Sequence, residues 1–178
     1  MMRKLFLLAT FCLMFVWAKS EGVDGLNHVK GCQSVGVRGG RGTKSKLDVG
    51  LTYTYCFSNK LSLTVEADME RGEYGNSKFL SLPMLSPCLE FNVWNPVNWF
   101  YLNIGGGVAV SYDVWECLDL MDKTKNFSVG PQVGVGFEFL PVSFLSFVLK
   151  AQQYAMFNKS TQYLKPNFTL AFRYNFHK

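Results

Sequence analysis

The sequence is poor in charged residues, and this shortage excludes several classes of protein. Only 17% of its 178 residues are charged, whereas a typical soluble domain has about a quarter. The basic residues are scattered, and the formal net charge is only +5. No basic stripe of the kind that follows a phosphate backbone emerges. Direct nucleic-acid binding is therefore not expected.

Histidine is also scarce, since His28 and His177 are the only two. Neither belongs to a motif. A Ser-His-Asp hydrolase, or a barrel that acylates lipid A, would need a histidine near its outer loops. The triplet Gly105-Gly106-Gly107 is followed by no helical pattern, so it does not predict a phosphate-binding loop. The sequence predicts no catalytic residue, no metal, no cofactor and no small-molecule substrate.

Beyond residue 20 there is no apolar run of the about 20 residues that a membrane-spanning helix needs. The apolar run before it, Leu5 to Trp17, follows a basic pair and ends in a small-residue cleavage pattern. We therefore expect a cleaved signal peptide at 1–18 and an irregular periplasmic lead-in at 19–32. An uncleaved anchor helix is the alternative.

The remaining sequence alternates between apolar and polar residues with the period of a β-strand. The alternation has no error from Leu164 to Phe176, and it recurs at Leu47–Phe57, Leu61–Glu70 and Phe127–Phe139. Four less regular strands are expected near 33–41, 80–93, 99–113 and 143–154. Short turns alternate with longer polar segments at 42–45, 73–79, 114–126 and 155–163.

This rhythm of short turns and long loops is typical of outer-membrane barrels. The predicted fold is all-β, an eight-stranded antiparallel up-and-down transmembrane β-barrel over residues 33–178. Both ends of the barrel would then lie on the periplasmic side.

The polar faces of these strands carry the charges, and the apolar faces carry none across their central segments. A charge facing lipid at mid-depth costs about 2–4 kcal/mol, so the polar faces should line the lumen. There we expect a structural ion-pair network. Its predicted members are Arg38, Asp48, Glu66, Asp68, Glu70, Glu90, Glu138, Lys150 and Arg173.

A small soluble barrel with the opposite polarity is the main alternative. Aromatic residues near the strand ends favour the membrane, because such residues gather at headgroup level. Those at the turn side are Tyr55, Phe57, Trp94, Trp99, Phe100, Phe137, Phe139, Tyr174 and Phe176. Those at the loop side are Tyr74, Phe79, Tyr112, Trp115, Phe127, Tyr154 and Tyr163.

Four cysteines remain after the signal peptide, and four allow three connectivities. Cys32 and Cys56 both fall at the periplasmic ends of neighbouring predicted strands. That pair is the predicted disulfide. Cys88 is expected to face the lumen, and Cys117 falls in the longest predicted loop.

The chain resembles the conjugal transfer protein TraO family of Bacteroidetes conjugative transposons. The resemblance rests on a cysteine shortly before Val35-Gly36-Val37-Arg38-Gly39-Gly40, behind a signal peptide and within an eight-strand pattern. It implies a non-enzymatic anchor or stabiliser in the outer-membrane part of a DNA-transfer apparatus. The expected partners are outer-membrane lipid and other conjugal transfer proteins. An eight-stranded barrel is too narrow to pass DNA, so the chain would not itself be the DNA channel. The alternative is a free-standing barrel for adhesion or envelope integrity.

Overall fold

Eight strands account for nearly all of the described chain. The computed structural model describes residues 28–42, 45–74, 77–117, 122–157 and 164–176. The strands are β1 (Gln33–Gly42), β2 (Ser45–Cys56), β3 (Leu61–Tyr74), β4 (Ser77–Val97), β5 (Phe100–Cys117), β6 (Asp122–Val142), β7 (Leu145–Ala155) and β8 (Leu164–Phe176). No helix in the described ranges is long and apolar enough to cross a membrane. The predicted signal peptide and residues 19–27 of the lead-in lie outside the described residues.

Each strand pairs antiparallel with the next one along the chain, and β1 pairs with β8 to close the sheet. The closing register runs from Gln33 opposite Phe176 to Gly42 opposite Asn167. Closure lets each backbone group bond to a neighbouring strand, which a lipid environment requires. The predicted eight-stranded antiparallel up-and-down barrel is confirmed.

One end of the barrel carries the short turns. They lie between Cys56 and Leu61, between Val97 and Phe100, and between Val142 and Leu145. The first is stabilised by Ser58, whose Oγ accepts hydrogen bonds from the backbone N–H groups of Lys60 and Leu61, at 3.3 Å and 3.1 Å. We call this the turn end, and the opposite end the loop end. The chain enters β1 and leaves β8 at the turn end.

At the loop end the strands run further than the sequence predicts. Most of the expected loops at 73–79 and 114–126 is strand, because Tyr74 pairs with Ser77 and Cys117 pairs with Asp122. Strands β4 and β6 each have 21 residues, or about 70 Å at 3.3 Å per residue. Even when tilted, such strands exceed a hydrocarbon core of about 30 Å. The β3–β6 side of the barrel therefore projects at the loop end.

Proline and glycine positions explain two local irregularities. Pro83 lies where the register between β4 and β5 shifts, between Leu82 and Leu85, as expected for a residue that cannot donate to the sheet. A Cβ on Gly107 would lie 2.0 Å from the backbone oxygen of Pro87. Only glycine permits this close approach of β5 to β4.

Candidate functional site in the barrel lumen

The barrel is polar inside and apolar outside. Arg38 and Glu66 are 4% and 1% exposed, whereas Leu51 and Phe168 on the outer surface are 63% and 65% exposed. This distribution follows from the two-residue alternation, which sends successive side chains to opposite faces. A soluble barrel would have the reverse polarity, so the soluble alternative does not fit the structure.

Arg38 lies at the centre of the largest charge cluster. Its guanidinium is 2.5 Å from Glu66, 3.0 Å from Asp68 and 3.5 Å from Asp48. Gly50 makes room for this cluster: it is opposite Arg38 on one side and Asp68 on the other. A Cβ on Gly50 would lie 2.1 Å from the Asp68 carboxylate.

Lys150 extends the cluster across the lumen from β7. Its ammonium donates to Glu66 at 2.7 Å and also pairs with Glu90. The second oxygen of Glu66 accepts a hydrogen bond from Gln152 at 2.8 Å, and Glu90 accepts one from Thr64 at 2.9 Å. Glu66 thus links the β1 cation to the β7 cation, and the centre of the lumen is occupied by ion-paired side chains.

Towards the loop end, Glu70 pairs with Lys165 at 2.6 Å. Asp48 accepts a hydrogen bond from Asn167 in the same region. The predicted network did not include Lys165, although it lies on the polar face of the most regular predicted strand. Its position next to Asn167 in the alternation was the signal that could have identified it.

Towards the turn end, His28 enters the lumen from the segment before β1. Its ring nitrogen lies 3.1 Å from Glu138, and the ring lies 4.3 Å from that of Tyr101. Asn103 donates a second hydrogen bond to Glu138 at 3.3 Å. Sequence reasoning missed His28, because it precedes the first strand and belongs to no motif.

The local turn explains how His28 reaches the lumen. The Cys32 N–H donates to the Val29 carbonyl at 3.0 Å, and Gly31 has φ +90°, a conformation that favours glycine. Burial alone would lower the pKa of His28, but the charge of Glu138 and its hydrogen bond raise this pKa above its usual value. Glu138 therefore favours the charged imidazolium, and the last residues of the predicted lead-in close over the turn end.

Arg173 of β8, the remaining member of the predicted network, is 3% exposed on the inward face. Its positive charge also acts on Glu138. All nine predicted residues thus face the lumen. The structure separates them into a central cluster around Arg38 and Lys150, and smaller groups towards the two ends.

Cys32 and Cys56 lie side by side at the turn end. The Cys56 N–H donates to the Cys32 carbonyl at 2.9 Å, and the Gly31 N–H donates to the Cys56 carbonyl at 2.8 Å. Both side chains are buried, and both thiols are free. The predicted pair is juxtaposed but not bonded, so the disulfide stays a prediction. Cys88 faces the lumen as expected, at 2% exposed.

The aromatic residues at the turn end form a contact network on the outer surface. Phe100 is central to it, with ring centroids 5.0 Å from Phe139, 5.9 Å from Trp94 and 6.3 Å from Trp99. At the loop end, Tyr112 and Phe127 are exposed as expected, but Tyr154 is not. It is 1% exposed and its hydroxyl donates to Gln152 inside the lumen at 3.0 Å. Its assignment to the outer girdle was wrong.

The charged side chains of the lumen form ion pairs and hydrogen bonds with one another. Among the described residues, no three His, Cys, Asp or Glu side chains are grouped so that they could hold a metal ion. The His28 ring nitrogen is hydrogen-bonded to Glu138, which orients the ring and favours its charged form.

No family model matches the chain, and no curated protein matches it. Its fold is nonetheless similar to that of several solved barrels. The β-barrel domain of Pseudomonas aeruginosa OprF has TM-score 0.67 and 10% identity, covering 83% of this chain and 98% of that one. Neisserial surface protein A has TM-score 0.65 and 10% identity, covering 88% and 100%. Ail, the attachment invasion locus protein of Yersinia pestis, has TM-score 0.55 and 15% identity, covering 83% and 100%. At these identities the likeness shows the fold alone.

Proposed function

We propose that this chain is a non-enzymatic barrel of the bacterial outer membrane that anchors or stabilises other envelope proteins. The observation that carries the proposal is the inside-out polarity combined with a filled lumen. An apolar outer surface with ion pairs inside suits a protein whose solvent is lipid. The central cations span the lumen to carboxylates on β3 and β4, so the interior serves stability and not transport.

The ends of the barrel are then where other molecules are contacted. At the turn end, residues 28–32 cover the lumen. At the loop end, the longer β3–β6 strands stand above the rest. A protein that acts through its ends fits an anchoring role in a larger assembly.

The assembly we propose is the outer-membrane part of a conjugative DNA-transfer apparatus, with other conjugal transfer proteins as partners. This finer proposal is supported by the resemblance of the Cys32 to Gly40 region to the TraO family. The DNA would pass elsewhere, since an eight-stranded barrel is just filled by its own side chains.

Deletion of the gene in a donor strain tests this proposal. We expect the frequency of DNA transfer to fall by orders of magnitude and to return with the wild-type gene. Affinity purification of the tagged chain from crosslinked outer membranes should recover other transfer proteins. Unchanged transfer frequency in the deletion strain would contradict the conjugation role.

Adhesion or envelope integrity is the second candidate, and the projecting β3–β6 strands favour it. Ail, whose name marks it as an attachment invasion locus protein, shares this fold. In the same deletion strain, this function predicts normal transfer with reduced surface attachment or greater sensitivity to detergent. One strain therefore separates the two candidates.

A further inference from the structure

The exposed charged side chains that the structure describes all have one sign. Among the residues whose side chains are described, every exposed charged residue is basic: Lys30, Arg41, Lys60, Arg71 and Lys125. The acidic side chains in this set are all buried in the lumen: Asp48, Glu66, Asp68, Glu70, Glu90 and Glu138. Within the described residues, the exposed charges are therefore cations and the carboxylates face the lumen.

Arg41 and Arg71 form the closest outward pair, near the loop end. Arg71 of β3 pairs with Leu47 of β2. Arg41 of β1 follows Gly40, the partner of Asp48, and so faces the same Leu47. The two arginines are thus separated by one strand, which places their backbones about 10 Å apart. Two side chains of this length can reach one polar group between them.

Within the described residues, neither arginine has a counter-charge. The ion pairs of the described residues lie in the lumen or at its two ends, and none includes Arg41 or Arg71. An arginine at the edge of an apolar surface is costly unless it reaches an anion or the interface. An anion from outside the described residues would compensate both cations.

The surface beneath the two arginines is apolar. Leu47, between them, is 52% exposed, and Val49 and Leu51 continue the stripe along β2 at 43% and 63%. Phe168, the partner of Arg41 on β8, is 65% exposed. Two cations at the top of an apolar stripe are complementary to a molecule with an anionic head and an acyl chain.

We propose that Arg41 and Arg71 bind the phosphate of a phosphorylated lipid in the outer leaflet, with an acyl chain along Leu47, Val49 and Leu51. Arginine suits this task because its planar guanidinium donates two parallel hydrogen bonds to a phosphate. The site rests on the proposed outer-membrane location and adds to it a lipid class and a fixed position on the barrel. It would hold one lipid at the β1–β3 side.

Native mass spectrometry of the detergent-folded barrel tests the site, with phosphorylated lipid A as the probe. We expect the wild type to retain this lipid and to lose lipid A from which the phosphates have been removed. R41Q/R71Q should weaken retention by on the order of tenfold for each arginine, the factor that 1.4 kcal/mol represents. R41K/R71K should retain an intermediate amount, since the charge remains but the bidentate geometry does not.

The matched control is K30Q/K60Q, which removes two exposed cations from the turn end and should bind as the wild type does. Equal weakening by this control would overturn the site in favour of general charge attraction. Full competition by inorganic phosphate would also overturn it, because the acyl chain would then contribute nothing. Heat-modifiable gel migration reports folding of each variant separately, so failure of the lipid site remains distinguishable from failure of the membrane proposal.

Discussion

The lumen and the outer surface of this barrel use charge in opposite ways. Inside, Arg38 and Lys150 are each held by two or more carboxylates and are shielded from solvent. Outside, the exposed cations near the loop end have no carboxylate beside them in the described chain. The interior cations are therefore compensated by carboxylates of the protein, whereas the exposed cations depend on their surroundings for compensation. Substitutions at matched positions on the two faces should consequently fail for different reasons.

The largest expected effect comes from placing a charge on the outer surface at mid-depth. Leu51→Arg should prevent insertion, because a lipid-facing arginine there costs about 2–4 kcal/mol and has no partner. Heat-modifiable migration after folding into lipid vesicles measures this directly. Leu51→Ala is the control and should fold, since an outward side chain leaves no cavity when shortened. If Leu51→Arg folded as efficiently as the wild type, the outer surface would not be facing lipid.

Among barrels that still insert, the largest expected effect comes from removing the central cation of the lumen. Arg38→Met leaves Asp48, Glu66 and Asp68 without their shared partner, and breaking a buried ion pair costs about 3–5 kcal/mol. We expect the urea midpoint of the lipid-embedded barrel to fall sharply. Lys165→Met, which breaks the less buried pair with Glu70, should lower it less. The opposite ranking would show that the central cluster contributes little to stability.

The two cysteines at the turn end offer a smaller and conditional effect. A periplasmic disulfide oxidase, itself carrying a disulfide, would accept two electrons and two protons from Cys32 and Cys56 as the S–S bond forms. Closing the loop between Cys32 and Cys56 should stabilise the fold by about 3 kcal/mol, because it restricts the unfolded chain. Mass spectrometry of unreduced peptides should show the Cys32–Cys56 link after oxidation, with Cys88 still alkylated as a control. Recovery of both thiols in alkylated form would contradict the pairing.

The smallest effect is a pH dependence at His28. Its pKa is raised in the folded state, so its stabilising contribution is complete below the unfolded value of about 6.5 and is lost as pH rises through the raised folded value. The nearby charges are Glu138, which favours the imidazolium, and Arg173, which opposes it. The difference in urea midpoint between wild type and His28→Gln should therefore shrink as pH rises. A difference that grows with pH would mean that His28 is held neutral.

Much of the barrel was predictable because the side chains of a strand alternate between its two faces with a period of two residues. The faces of β2, β3 and β8 follow from alternation, since a displacement by one residue would bring charges to the lipid side. Tyr154 was assigned to the wrong face because its prediction did not follow the alternation. It lies two residues after Gln152 and four after Lys150, so alternation alone placed it inside, and its position near a strand end was misleading.

Other features could not be predicted from the alternation of apolar and polar residues. The extension of β5 and β6 to Cys117 and Asp122 was missed because the added segments lack clean alternation. His28 was missed because its partner Glu138 is 110 residues away in the sequence. Pairings across a closed lumen depend on barrel stagger, which the sequence of a single strand does not encode.

The distance in sequence between the lumen partners has a consequence for the order of assembly. Lys150 and Glu66 are 84 residues apart, and they can meet only when β7 has curved round to within reach of β3. Until then the charges that fill the lumen would face water or lipid alone. Contacts between distant parts of a chain form late, so these charges should stay hydrated until the sheet closes. The ion pairs of the lumen would then form last, when the sheet closes, and insertion into the membrane should proceed together with closure.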